Sequence, residues 1–208
     1  MTVTLEPNDR SLPKQERARE TYDRLLNVAG ELLAEVGVDR ITTNLICARA
    51  GLTPPALYRY FRDKYAVLEA LGRRLMDRQN AVLEAWIARH EPGGVDQMRG
   101  AIEELLRETA KATSTQPGAV WILRALRASP TLIHIRIDSH RYVTDRLTDA
   151  YARHLPDVPR DVLWQRLRLT VEMGFSIDEM LCEEPTMDAD AAFKHAGRLL
   201  RGNTRPDG

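Results

Sequence analysis

In residues 42–64, TTNLICARAGLTPPALYRYFRDK, the side chains able to do chemistry are hydroxyls, cations and one amide. Thr42, Thr43, Thr53, Tyr58 and Tyr60 carry hydroxyls, Asn44 an amide, and Arg49, Arg59, Arg62 and Lys64 positive charge, with Asp63 the one acid. Together with Arg40 just upstream, five cations face one anion in a chain whose 30 basic and 30 acidic residues cancel. A local excess of this kind on short helices is what a phosphate backbone attracts, although a charged run can also be a plain solvated face. Bond-breaking chemistry finds little support. The sequence has no GxSxG elbow, P-loop or Rossmann fingerprint. Its five histidines show no HxxxH or HExxH spacing, and His134–Asp138 is a lone pair. Cys47 and Cys182 are too few for a four-cysteine zinc site and fit a reducing compartment. The residues therefore suggest a binding protein, not an enzyme, with no metal and no cofactor.

Those groups need a scaffold, and the apolar residues outline one. They recur at helical spacing almost throughout, and strand-like alternation is nearly absent, so an all-α chain of about nine helices is expected. Leu25, Val28, Ala29, Leu32, Leu33 and Val36 form one face of a first helix. It is expected to begin near residues 12–14, with Ser11 as N-cap and Pro13 in the first turn, and to end at Gly37. A second helix covers 43–50, and Gly51-Leu52 turns the chain. Thr53 as N-cap and Pro54 at the first position open a third helix ending near Phe61. Two short helices joined by a glycine turn behind a longer one outline a helix-turn-helix. Further helices are expected over 64–90, 96–114, 119–128, 130–154, 160–182 and 188–200, separated by proline and glycine. The implied organisation is a flexible segment 1–12, a helix-turn-helix domain 13–64, a larger helical domain 65–201 and a flexible tail 202–208.

The stretch resembles the DNA-binding domain of the TetR family of transcriptional regulators. The likeness begins with Leu26, Ala29, Leu32, Leu33 and Gly37. It continues through Thr42, Ile46, Ala50, Gly51, Leu52, Leu57, Tyr58, Phe61, Lys64 and Leu68, and covers roughly the first third of the chain. The rest resembles the family in length and helical plan. Roles follow residue by residue. Thr43, at the start of the second helix, can meet a phosphate, as the equivalent threonine does in the family. Pro54, Pro55 and Ala56 open the recognition helix and, lacking side-chain donors, can read only apolar features such as thymine methyls. Base-specific hydrogen bonds then fall to Asn44, Arg59 and Tyr60, the last standing where the family often has histidine. Tyr58 and Lys64 would contact the phosphate backbone, and Thr53 is counted with the DNA-facing set. Leu57, Phe61 and Cys47 are expected to be buried. Arg10, Lys14, Arg17 and Arg19 could form a minor-groove arm, but the interleaved Glu16 and Glu20 favour i,i+4 surface pairing.

Downstream, residues 160–182 are apolar nearly all round. Leu163, Leu167, Val171, Gly174 and Phe175 lie on one face, and Val162, Leu169, Met173, Ile177 and Met180 on another. Such a helix must be covered on both sides, by its own core and by a second protomer. The resemblance implies a four-helix dimer bundle shared with the last helix. The expected interface is Leu163, Leu167, Val171 and Gly174 with Phe193, Ala196 and Leu200. A ligand pocket is expected around Trp86, Trp121, Leu126, His140, Tyr142, Met173 and Phe175, aromatics with polar handles in an apolar surround, although the same residues could simply fill the core. The acidic run Glu172, Asp178, Glu179, Glu183 and Glu184 is expected to be solvated or paired with arginines such as Arg166 and Arg168. The resemblance implies a homodimeric repressor on a pseudo-palindromic double-stranded DNA operator, released by a small, lipophilic effector. The alternative is a constitutive dimeric DNA-binding protein without an effector. With no signal-peptide run and no apolar stretch of membrane-spanning length, a cytoplasmic protein with no membrane partner is expected.

Overall fold

The computed structural model describes residues 16–203, and every regular element among them is helical. Segment 1–12, Ser11, Pro13, Arg10 and Lys14 lie outside the described residues, as does 204–208. The helices are α1 Glu16–Arg40, α2 Thr43–Ala50, α3 Pro54–Tyr58, α4 Lys64–His90, α5 Gly94–Gly100, α6 Ile102–Ser114, α7 Ala119–Ala128, α8 Ile133–Ala152, α9 Arg160–Glu183 and α10 Ala189–Asn203, with a 3-10 turn at Glu91–Gly93. None of them is long and apolar enough to cross a membrane.

Local chemistry sets the boundaries. Gly37 has φ 73° and ψ 176°, which interrupts the helical backbone of α1 before the chain turns on to Arg40. The Thr42 hydroxyl accepts the Leu45 N–H at 3.2 Å and caps α2. Gly51, at φ 64°, closes α2 in the left-handed conformation. Asp63 Oδ1 accepts the Ala66 N–H at 2.8 Å and starts α4. Thr53 stands at the N-cap of α3, but its side chain makes no capping bond. Helix α3 is shorter than expected: it ends at Tyr58, and the Tyr60 and Phe61 N–H groups both turn back to the Leu57 carbonyl.

The helix expected over residues 96–114 is two. Ala101 breaks it with φ −95° and ψ 7°. Its carbonyl accepts the indole N–H of the fully buried Trp86 at 3.0 Å, so the break gives a buried donor its partner. Helix α10 runs on to Asn203, past the expected boundary at residue 201.

Two apolar cores result. The first joins Leu25, Leu33, Ile46, Leu57 and Phe61 of the N-terminal helices to Leu71 and Leu75 of α4 and to Ile122 and Leu126 of α7. The second joins Leu83, Trp86 and Ile87 of α4 to α5, to Val143, Leu147 and Tyr151 of α8, and to Leu163, Leu167 and Val171 of α9. Helix α4 therefore serves both.

Where α1 meets the turn before α7, backbones nearly touch. A Cβ on Gly118 would lie 2.5 Å from the Gly30 carbonyl oxygen and 2.9 Å from Leu33 Cβ, and Gly118 also has φ +73°. A Cβ on Gly30 would lie 2.8 Å from the Pro117 carbonyl oxygen. Two turns further along α1, the ring of Trp121 lies 3.4 Å from where a Gly37 Cβ would be. Gly118→Ala combines a strained φ with a backbone clash. It is expected to cost about 2–3 kcal/mol, lowering Tm by about 5–10 °C in a thermal melt followed by circular dichroism. A surface change such as Gly100→Ala, with nothing within 4 Å of its Cβ, is the control.

Candidate functional site

The first three helices present one polar face. Leu57 and Phe61 anchor α3 from beneath, and Phe61 stacks on Tyr22 at 5.1 Å. On the outer side the Thr43 hydroxyl lies 3.3 Å from the Tyr58 hydroxyl. The N-terminus of α2 and the last residue of α3 thus offer two adjacent donors, the arrangement a phosphate oxygen can accept. Asn44, Thr53, Pro54, Pro55 and Arg59 are exposed beside them, with Ala56 half-buried. Tyr60 is half-buried and edge-on to Tyr22 at 6.1 Å, so part of its ring serves the core.

The positive charge is smaller than the sequence suggests. Arg49 makes a bidentate pair with Glu35, at 2.9 and 2.7 Å, and Arg62 lies 3.3 Å from Asp63. Lys64 Nζ donates to the Val38 carbonyl at 3.3 Å and Arg40 Nε to Val36 at 3.1 Å. Both cations sit at the carbonyl end of α1, where the helix dipole favours them. Arg59 and Arg62 are the exposed cations of residues 54–63.

The second site is internal. A narrow cavity of about 70 Å³, open at its mouth, runs between α4, α6, α8, α9 and α10. Leu83, Trp86, Leu147, Leu167 and Phe175 form much of its apolar wall. Of the residues expected around a pocket, the structure brings Trp86 and Phe175 to this cavity. His140 backs it: its ring stacks on Phe175 at 4.1 Å and its Nδ1 lies 3.0 Å from Glu172. Burial pushes the imidazole down to about 4, against the pull of Glu172, so the ring is neutral near pH 7 and Nδ1–H donates. Burial raises the Glu172 carboxyl, but His140, Arg168 and Arg136 together hold it at about 2.

The other four expected pocket residues lie elsewhere. Trp121 packs on Gly37 beneath the Arg124 guanidinium, and Leu126 fills the first core against Gly72. Tyr142 is exposed and donates to Glu84 at 2.6 Å. Met173 is exposed on the outer side of α9.

The expected dimer residues also need correction. Leu163, Leu167, Val171, Phe193, Ala196 and Leu200 are buried within the single chain. Gly174 faces α6, where its Cβ would meet Leu106 at 3.3 Å. The apolar face left uncovered is the other one: Leu169 is 62% exposed and Leu199 61%, with Val162 and Met173 also exposed. Both faces of α9 are apolar, and periodicity cannot say which one the chain covers itself.

A polar trio, two members of which line the cavity, was not singled out from the sequence. Asp178, grouped there with a solvated acidic run, is buried, and so are Gln79 and Thr113. Asp178 Oδ2 lies 2.6 Å from the Thr113 hydroxyl, and Gln79 Nε2 donates to that hydroxyl at 2.8 Å. The other acids behave as expected: Glu172 pairs with Arg168 at 2.9 Å, Glu183 with Arg124 at 2.9 Å, and Glu179 with Arg127. The signal was present in the register. Asp178 follows Val171, Gly174 and Phe175 at steps of seven, four and three. Gln79 lies between Leu75 and Leu83 on the buried stripe of α4.

A family model described as bacterial regulatory proteins, tetR family, matches residues 25–71. The chain is 24% identical over 194 residues to the HTH-type transcriptional regulator UidR of Escherichia coli K12, covering 90% of this chain and 94% of that protein. It is 44% identical over 52 residues to the class A tetracycline repressor protein of Escherichia coli, which covers 25% of this chain and 24% of that one. A solved structure of a TetR-family transcriptional regulator from Streptomyces coelicolor aligns with TM-score 0.60 at 25% identity, over 88% of this chain and 96% of that one.

Burial pushes the Asp178 carboxyl up to about 6, against the hydrogen bond to Thr113, and Glu179 adds to the rise. The folded chain therefore holds this proton to about pH 6, while the unfolded chain releases it near pH 4. Stability from this group is lost as pH rises through that window. Asp178→Asn removes the titration. Its unfolding free energy relative to the parent is expected to rise by about 2–3 kcal/mol between pH 4 and pH 7, read from urea denaturation at each pH.

Proposed function

From the premise that the chain belongs to the TetR family of DNA-binding transcriptional regulators, which are not enzymes, we propose that it is a ligand-responsive repressor. It binds a pseudo-palindromic operator as a homodimer and releases it when a small, largely apolar molecule fills the cavity. The observation that carries this reading is the cavity itself, lined by the same α4 that leaves the DNA-facing unit at Lys64. Repression as the sign of regulation draws support from the relative named a repressor, whose likeness lies in the DNA-binding segment.

In this reading Thr43 and Tyr58 hold phosphate and fix the register. Pro54, Pro55 and Ala56 face thymine methyls from the start of α3, and Asn44 and Arg59 supply the base hydrogen bonds. Thr53 and Tyr60 border that surface, and Lys64 adds charge at the end of α1. The exposed stripe with Val162, Leu169, Met173 and Leu199 takes the second copy. Dimerisation sets two recognition helices about one DNA turn, ~34–36 Å, apart.

The ligand acts only by its differential affinity for two conformations. Filling the cavity favours an arrangement in which α4 no longer holds the two DNA-facing units at the half-site spacing. A core that stays rigid when filled would instead suit the constitutive binder. The measurement is selection of bound duplexes from a random pool, followed by titration of variants on the enriched sequence. A pseudo-palindrome is expected. Tyr58→Phe is expected to weaken all duplexes alike, several-fold, and Asn44→Ala to relax preference at single positions by about 1–3 kcal/mol. Binding without enrichment, lost steeply with salt, contradicts the reading.

A further inference from the structure

The largely apolar cavity wall carries the hydroxyls of Thr109, Tyr151 and Thr170 and, from α4 and α9, Gln79 and Asp178, which meet at Thr113 of α6 behind the wall. Asp178 is 4% exposed and Gln79 2%. The hydrogen-bond partners of Asp178 are Thr113, 2.6 Å from Oδ2, and Gln79 Nε2, 3.4 Å from the same oxygen. The side chains that act on its carboxyl are Thr113, which lowers its pKa, and the like-charged Glu179, which raises it.

Counting protons shows what is missing. The Thr113 hydroxyl lies within reach of both Asp178 Oδ2 and the Thr109 carbonyl, at 2.6 and 3.0 Å, and has one proton for the two. Gln79 directs its NH2 group towards Thr113 and Asp178, which leaves its carbonyl oxygen on the other side. That oxygen, Oε1, and Asp178 Oδ1 are both buried and have no partner. Two residues of the cavity wall therefore each hold a buried acceptor that lacks a donor. Buried acceptors of this kind are normally satisfied. An unpaired buried carboxylate is also costly, in keeping with the raised pKa of Asp178.

We propose that this cavity takes a hydrophobic amine, its protonated nitrogen donating to Asp178 Oδ1 and Gln79 Oε1 and its apolar body lying along Leu83, Trp86, Leu147 and Phe175. An ammonium group supplies the missing donors and the missing counter-charge together. A carboxylate or phosphate head meets like charge and two acceptors at the same place. A neutral alcohol supplies one donor and no charge. The assignment rests on the ligand-responsive reading above and names the chemical class of the ligand.

The test is calorimetric titration of the full-length protein with n-alkylamines from butyl to decyl, below micellar concentration, each beside the alcohol and carboxylate of the same length. An amine of the series is expected to bind at least tenfold more tightly than its alcohol and carboxylate counterparts. Asp178→Asn is expected to remove that tenfold advantage and leave the alcohol unchanged. Gln79→Met, the second variant, is expected to weaken the amine by a smaller factor; melts establish that both variants are folded. Equal or tighter binding of the alcohol or carboxylate, full amine affinity in Asp178→Asn, or no amine binding at all overturns the proposal. The same ligands are then added to the protein on its selected duplex. Amine binding that leaves the duplex bound upholds the amine site and overturns the ligand-responsive reading. Release of the duplex by an alcohol or carboxylate alone does the reverse.

Discussion

The close approach of α1 to the turn before α7 is the constraint on which the rest of the molecule depends. Gly30 and Gly118 let two backbones meet at a distance no side chain would permit, and Trp121 closes the same seam against Gly37. Gln116, itself buried, ties the turn further: its amide carbonyl accepts from Arg78 of α4 at 3.1 Å, and its amide N–H donates to the Pro117 carbonyl at 3.2 Å. The three N-terminal helices are therefore packed against the helices that follow them. They share one apolar core with α4 and α7. A shift of α4 or α7 cannot leave α1 in place, because close-packed interiors transmit displacement instead of absorbing it.

The second consequence concerns charge. The protein has no net charge, and many of its charged groups are paired on the surface. Arg49 with Glu35, Arg89 with Glu104 and Glu108, and Arg146 with Glu84 are examples. Exposed pairs of this kind contribute little to stability, about 0–1 kcal/mol each. Their effect at the outer surface of α2 and α3 is to leave a small number of directed donors instead of a broad positive field. In the proposed function such a surface relies on the hydroxyls of Thr43 and Tyr58, 3.3 Å apart. Asp178 is the contrast: a buried acid in the wall of a largely apolar cavity, hydrogen-bonded to Thr113.

Much of the fold was legible in the sequence because helix boundaries here are set by local chemistry. The starts of α2 and α4 at Thr43 and Lys64, and the ends of α7 and α4 at Ala128 and His90, follow from caps, prolines and glycines. The break at Ala101 was not legible, because its partner, Trp86, is fifteen residues away in sequence. The same reason explains the dimer face. The apolar residues of α9 were recognised, but which side the chain itself covers depends on α6, α8 and α10. Trp121 and Tyr142 were drawn into the expected pocket by residue type, whereas packing assigns one to the α1 seam and the other to solvent. Gln79 and Asp178 show the converse. Their positions on buried stripes were available from spacing, but Asp178 was grouped with a solvated acidic run and Gln79 was not singled out.

The claim that ties these observations together is that cavity occupancy and DNA binding are coupled. It can be tested without knowing the ligand. Val171 is buried on the cavity wall, and Val171→Phe would place a ring in the empty space. The measurement is the affinity of this variant for the selected duplex, with folding checked by circular dichroism and dimerisation by equilibrium sedimentation. The account predicts at least a tenfold loss of operator affinity in a folded dimer, about 1.4 kcal/mol of coupling. A folded, dimeric variant that binds the operator as tightly as the parent would contradict it and leave a constitutive DNA-binding protein.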